Sequence, residues 1–159
     1  MKANYELSEL VKANGYLEWL DLASSFTERS IRNWQYCTNS IHYLLALWGR
    51  LVAAVSYVRP DTGAQGHVGA LEKQVLTVCK AYIESFLGSV EVVLKSDGGL
   101  EDPLDDDGSL CEQLDRLLVI CRFQYAVVAQ LILTKFDALM GQYRTVLDEN
   151  DFGIEEEDV

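Results

Sequence analysis

Residues 39–58 read NSIHYLLALWGRLVAAVSYV. Ile41, Leu44, Leu45, Trp48, Val52 and Val55 recur at spacings of three and four, which puts them on one face of an α-helix. Tyr43, Leu47, Leu51 and Ala54 make a second apolar stripe beside the first. A helix apolar over so wide an arc has to be covered on two sides, which a single antiparallel partner cannot supply. The stretch therefore predicts a helix lodged between neighbours, with Thr38, Asn39 or Ser40 to cap its start. Pro60 lies just past its end, where proline commonly follows a helix, and PDTGAQGHVG (60–69) then reads as a loop.

The same reading extends outward in both directions. From about Ala70 to Lys95, one polar stripe holds Lys73, Thr77, Lys80, Glu84, Gly88, Glu91 and Lys95. Val75, Val78 and Tyr82, with Leu76, Ile83, Leu87, Val90 and Leu94, fill the rest, so the apolar arc is again broad. Ser109 opens SLCEQLDRLLVICR with a glutamate three positions on, a capping-box pattern, and Leu110, Leu114, Leu117 and Leu118 are expected to face a core. Val128, Ile132, Phe136, Leu139, Tyr143 and Val146 keep the helical period to Leu147, and the pattern favours two helices between Ser109 and Leu147, broken near Arg122 and Phe123. Upstream, Tyr5–Val11 predicts a short helix, Asn14-Gly15 a break, and Tyr16–Trp34 a helix carrying Trp19, Leu20 and Phe26.

No segment alternates convincingly with period two, so the fold class is all-α. Five to six antiparallel helices are expected, with loops at 35–38, 59–69 and 96–108. A closed bundle buries one stripe per helix, whereas a solenoid of stacked hairpins needs two on its interior helices. The double stripes favour the α-solenoid. Residues 1–148 then form a segment of about three helical pairs containing the acidic loop 97–108, and residues 149–159 an acidic tail.

At 159 residues the chain fits one domain. Hydrophobic residues at 49% and aromatics at 10% are a globular composition. The formal charge of −12 repels phosphate backbones and anionic headgroups and favours basic protein partners, against nucleic acid or a membrane surface as the ligand. No run of about 18 uninterrupted apolar residues suggests a membrane span, and MKANYELSEL lacks the apolar core of a signal peptide, from which an intracellular, soluble protein is expected. Cys37, Cys79, Cys111 and Cys121 form no CxxC pair and read as reduced core residues.

Motif by motif, the chemistry falls away. LEDPLDDDG (100–108) sets Asp105 and Asp107 before Gly108 as a calcium loop would, but Pro103 stands at the first ligand position and Leu114 at the twelfth. DENDFG fails in the same way at Phe152 and Val159. Asp151-Phe152-Gly153 has no glycine-rich loop or His-Arg-Asp motif ahead of it. His42 and His67 lack the spacing of a zinc or catalytic pair, and His67 sits in a glycine-rich loop. Neither GAQGHVG nor SDGGL follows a strand or carries a phosphate-loop lysine. Among Trp19, Trp34 and Trp48, the spacing assigns Trp48 to the core. Nothing assembles an acid, a base and a nucleophile, so neither an enzyme nor a cofactor is expected.

The acidic residues remain. The run Glu155-Glu156-Glu157-Asp158 and the loop read either as solvated charge that keeps the chain soluble or as a surface for a basic partner. Asp105, Asp106 and Asp107 precede a helix start, where negative charge suits the dipole; Glu101 and Asp102 have no such local reason. All five are candidate partner-binding residues.

NSIHYLLALWGRLVAAVSYV, the helix ending EVVLK, LEDPLDDDGSLCEQLDRL and CRFQY together resemble the N-terminal half of an exportin of the importin-β (karyopherin) superfamily. The resemblance runs over roughly Tyr5–Leu147. It implies a superhelix of HEAT-like repeats, each a pair of antiparallel helices, and a receptor that binds Ran-GTP, protein cargo and nucleoporins while shuttling between nucleus and cytoplasm. It also implies a role for Glu101, Asp102, Asp105, Asp106 and Asp107, which are similar to an acidic insertion that touches Ran in related exportins. Family members are several times longer, so the chain reads as a fragment, a truncated product or a partial gene model. The first repeats, which make the principal Ran contact, are absent, and apolar repeat ends open to self-association are expected. The alternatives are a helical-repeat scaffold indifferent to Ran and a compact bundle holding a small apolar ligand.

Overall fold

A computed structural model describes residues 7–10, 13–55, 65–96 and 107–152. Six helices follow in order: α1 (Leu7–Leu10), α2 (Tyr16–Arg32), α3 (Trp34–Ala54), α4 (Gln65–Lys95), α5 (Asp107–Phe123) and α6 (Tyr125–Phe152). No strand occurs among the described residues. The chain divides into two units, Met1–Tyr125 and Ala126–Val159.

The first unit holds α2 to α5 as two hairpins laid one on the other. Its most extensive interfaces join α2 to α4 and α3 to α5, ahead of those between helices adjacent in sequence. A closed four-helix ring would make these pairs the diagonals and would join α2 to α5, which share no comparable interface. The helix direction agrees. Tyr16 meets His67, Asp21 meets Gln74 and Ile31 meets Ser85, so α2 and α4 run parallel, as equivalent helices of successive hairpins must. Within the second hairpin Tyr82 meets Gln113 and Cys79 meets Cys121, the antiparallel sense. The all-α, stacked-hairpin expectation holds.

Local chemistry sets the joints. Gly15 takes φ 82°, ψ 12°, a left-handed conformation that glycine adopts without steric penalty, and it ends the turn before α2. Asn33 closes α2: its backbone N–H reaches the carbonyls of Arg29 and Ser30, and its side-chain amide donates to Arg29 O at 2.7 Å. The carbonyl of Ile31, left over at the same helix end, accepts from Ser85 Oγ of α4 at 2.8 Å. The break expected at 35–38 is thus a one-residue joint at Asn33 plus a non-helical Cys37 (φ −119°, ψ 16°) inside α3. The expected Tyr16–Trp34 helix accordingly stops at Arg32.

Two further boundaries differ from expectation. Helix α4 begins at Gln65, inside the expected 59–69 loop, despite Gly66 and Gly69. The His67 ring packs edge-on against Tyr16 at 5.4 Å, a tertiary contact that outweighs the weak helix propensity of glycine. Helix α5 begins at Asp107, so Ser109 lies inside it and is not the capping residue; its Oγ is 3.4 Å from Gln113 Nε2. The expected division near Arg122 and Phe123 falls at Gln124, between α5 and α6.

Leu20, Leu45, Trp48, Leu71, Val75, Val78 and Ile120 form the fully buried centre. Helix α3 is covered by α2, α5 and α4, as its double stripe requires, although Tyr43 of the second stripe is exposed. In α5 the core positions are Leu117 and Ile120; Leu114 and Leu118, expected inside, are exposed. Cys111, read as a core thiol, is exposed as well.

In the second unit, α6 continues to Phe152. Of its apolar row, Val128 is buried, whereas Ile132, Phe136, Leu139, Tyr143 and Val146 are exposed.

Candidate functional site

The acidic stretch reaches the described structure at one point. Asp107 is the first residue of α5, while Glu101, Asp102, Asp105 and Asp106 lie outside the described residues, as does Glu155–Asp158.

A polar contact joins the α3 and α5 layer. His42 Nδ1 lies 3.4 Å from Glu112 Oε2, and Arg116 Nη2 lies 3.3 Å from His42 Nε2. Glu112 and Arg116 are one helical turn apart on α5, so both reach the same ring. A guanidinium can only donate, which makes Nε2 the acceptor and directs the Nδ1 proton at Glu112. The ring also stands edge-on to Tyr43 at 5.3 Å. His42 is therefore a partly buried partner in a clip between repeats, in keeping with its lack of catalytic spacing. His67, expected in a loop, lies in α4 against Tyr16; burial raises the Tyr16 phenol above its ordinary value.

Other cross-helix contacts tie the two helices within each hairpin. Trp48 Nε1 donates to Thr27 Oγ1 at 2.9 Å, and Thr27 Oγ1 donates to Ala23 O at 2.7 Å. Tyr82 OH donates to Gln113 Oε1 at 3.0 Å. Between α4 and α5, Cys79 and Cys121 bring their sulfurs to 3.7 Å. Sequence spacing carries no sign of that approach, because 42 residues separate the two. Among the described residues no group of three or more His, Cys, Asp or Glu side chains could hold a metal ion, and no single helix is long and apolar enough to cross a membrane.

The outward faces are mixed in character. Leu22 and Phe26 of α2 stand exposed beside Trp19, and Tyr36 and Tyr43 of α3 are largely in solvent. Contiguous apolar exposure of this kind marks surfaces that meet other protein.

Stacked helical hairpins tied by cross-repeat polar contacts define a helical-repeat protein segment. Residues 89–158 match the family described as Exportin-7-like, TPR domain. The chain is 42% identical to Exportin-7-A of Xenopus laevis over 147 residues, 39% identical to Ran-binding protein 16 of Drosophila melanogaster over 148, and 37% identical to Ran-binding protein 17 of Mus musculus over 147. Each alignment covers 92% of this chain and 13% of the relative. The chain is thus similar to these relatives over nearly its whole length and spans 13% of theirs. No solved structure matches it significantly.

Proposed function

We propose that this chain is a segment of a nuclear transport receptor of the exportin-7 type, acting through binding and shuttling between nucleus and cytoplasm. The observation that carries the reading is the 42% identity to Exportin-7-A over 92% of the chain, on a stack of helical hairpins suited to extended protein contacts. The names of the relatives supply the two partner classes, exported protein cargo and Ran. In such a receptor Ran-GTP and cargo raise one another's affinity by favouring the same arrangement of repeats, and passage through the pore adds contacts with nucleoporins.

Glu101, Asp102, Asp105, Asp106 and Asp107 serve in this reading as an acidic contact for a basic surface of Ran or cargo. Five carboxylates within nine residues are more than the start of α5 calls for, and the net charge of −12 points the same way.

The test is a chimera in which residues of this chain replace the aligned segment of Exportin-7-A. Immobilised chimera is titrated with Ran loaded with GTP or with GDP, alongside intact Exportin-7-A. Retained preference for the GTP form supports the reading. A folded chimera that binds both forms alike, while the intact receptor discriminates, overturns it.

A further inference from the structure

The four cysteines are free, and two of them meet between the two helices of the second hairpin, away from the turn that joins them. Cys121 Sγ of α5 lies 3.7 Å from Cys79 Sγ of α4. Cys79 is completely buried and Cys121 is half-buried, so Cys121 is the one of the two nearer to solvent. Their shared hydrogen bond favours thiolate at Cys121, holding that thiol below its ordinary range against the opposing effect of burial. The same bond, reinforced by burial, pushes Cys79 up and keeps it protonated. A half-buried, acidified thiol beside a fully buried second thiol is the arrangement of a reactive and a resolving cysteine.

We propose that Cys121 and Cys79 form an oxidation site at which a hydroperoxide, hydrogen peroxide being the simplest, closes a disulfide that staples α4 to α5. In the first step the Cys121 thiolate attacks a peroxide oxygen. An S–O bond forms, the O–O bond breaks, and the departing hydroxide takes a proton and leaves as water. In the second step the Cys79 sulfur attacks the Cys121 sulfenic sulfur. An S–S bond forms, the S–O bond breaks, and the released hydroxide leaves as a second water with the Cys79 proton. Two thiols and one hydrogen peroxide thus become one disulfide and two waters, with two electrons passing from sulfur to oxygen. The sulfurs must close from 3.7 Å to about 2.05 Å, an approach that starts from helices already packed together.

Cys111, exposed on the same helix, is the internal competitor. The inference does not depend on Ran or cargo binding.

The experiment treats the full chain with equimolar hydrogen peroxide, blocks remaining thiols with iodoacetamide, and maps unreduced peptides by mass spectrometry. The expected result is a linked peptide pair joining Cys79 to Cys121, with two thiols per chain lost to alkylation and regained with dithiothreitol. Oxidation is expected to raise Tm reversibly, and Cys111→Ser to leave both changes intact. Cys121→Ser is expected to abolish the link, and Cys79→Ala to leave a dimedone-reactive sulfenic acid at Cys121. Modification of Cys111 while Cys79 and Cys121 stay open to alkylation overturns the proposal. So does conversion of Cys121 to sulfinic acid beside a free Cys79 thiol. The mapping of the unsubstituted chain decides the matter even where Cys79→Ala does not fold.

Discussion

Trp48 Nε1 and Thr27 Oγ1 form a 2.9 Å hydrogen bond between two side chains that are both completely buried. It fixes α3 against α2 in one register, because the largest fully buried side chain of the unit finds its polar partner at a single point on the neighbouring helix. Thr27→Val keeps the volume and removes the acceptor. Stranding a buried indole N–H costs about 1–3 kcal/mol, so the urea midpoint is expected to fall, and Thr27→Ser, which retains the hydroxyl, is expected to lose less. An unchanged midpoint in Thr27→Val, with a loss only in Thr27→Ser, would show that the methyl group and not the hydrogen bond matters.

The clip of His42 with Glu112 and Arg116 is smaller in energy. The Glu112 side chain is 65% exposed, so solvent screens much of the attraction, and pairs of this kind contribute about 0.2–1 kcal/mol. A double-mutant cycle on His42→Ala and Arg116→Ala is expected to give a coupling in that range. Additive losses would mean that the contact of Arg116 with His42 contributes nothing to holding α3 on α5.

Much of this was legible in the residues of α3. Its two stripes required cover on two sides, and α2, α5 and α4 supply it. The inward face of α2 was not legible, since it is built from Ser24, Thr27 and Ser30 along with Tyr16, Leu20 and Ile31. Small polar side chains leave no periodic hydrophobic signal, yet they line a closely packed helix because their hydroxyls can bond to backbone or to a neighbour. Trp19 and Phe26, the residues that draw attention in the sequence, point outward instead. The Cys79–Cys121 and His42–Arg116 contacts were hidden for a different reason, that pairing at separations of 42 and 74 residues is set by tertiary packing and not by local spacing. The acidic stretch could be tested against metal motifs residue by residue, but whether a charged run meets a partner depends on a surface that lies outside the chain.

Tyr82 gives a pH dependence with a definite sign. Burial pushes its phenol up to about 12, and the neutral OH donates to Gln113 Oε1. The unfolded chain, with phenol near its ordinary value of 10.0, releases the proton first as pH rises. Stability from this group is therefore complete below pH 10 and is lost between pH 10 and 12. Tyr82→Phe has no proton to release. Urea midpoints of the two proteins are expected to differ most near neutrality, with the variant lower, and to converge as pH climbs through that window. A constant gap would show that the phenol titrates normally.

Along α6, Ile132, Phe136, Leu139, Tyr143 and Val146 stay exposed as a nearly continuous apolar row. Leaving such a row in water favours association, each fully covered large side chain contributing about 1.5–3 kcal/mol. The isolated chain is expected to sediment as larger species with increasing concentration. Phe136→Glu combined with Tyr143→Lys is expected to restore monomer with unchanged helical circular dichroism. An unsubstituted chain that stays monomeric at all concentrations would count against the row as a contact surface.

The acidic stretch invites the most direct test of partner binding. Replacing Glu101, Asp102, Asp105, Asp106 and Asp107 by Asn or Ser removes five negative charges without touching the described core. If these carboxylates meet a basic surface of Ran or cargo, the chimera with Exportin-7-A is expected to bind more weakly at low ionic strength. The deficit should shrink as added salt shortens the Debye length to about 8 Å at physiological strength and about 3 Å at 1 M. Helicity is expected to stay the same, because the carboxylates before α5 contribute only a few tenths to about 1 kcal/mol through the helix dipole. An isotherm unchanged at every salt concentration would assign these residues to solubility alone.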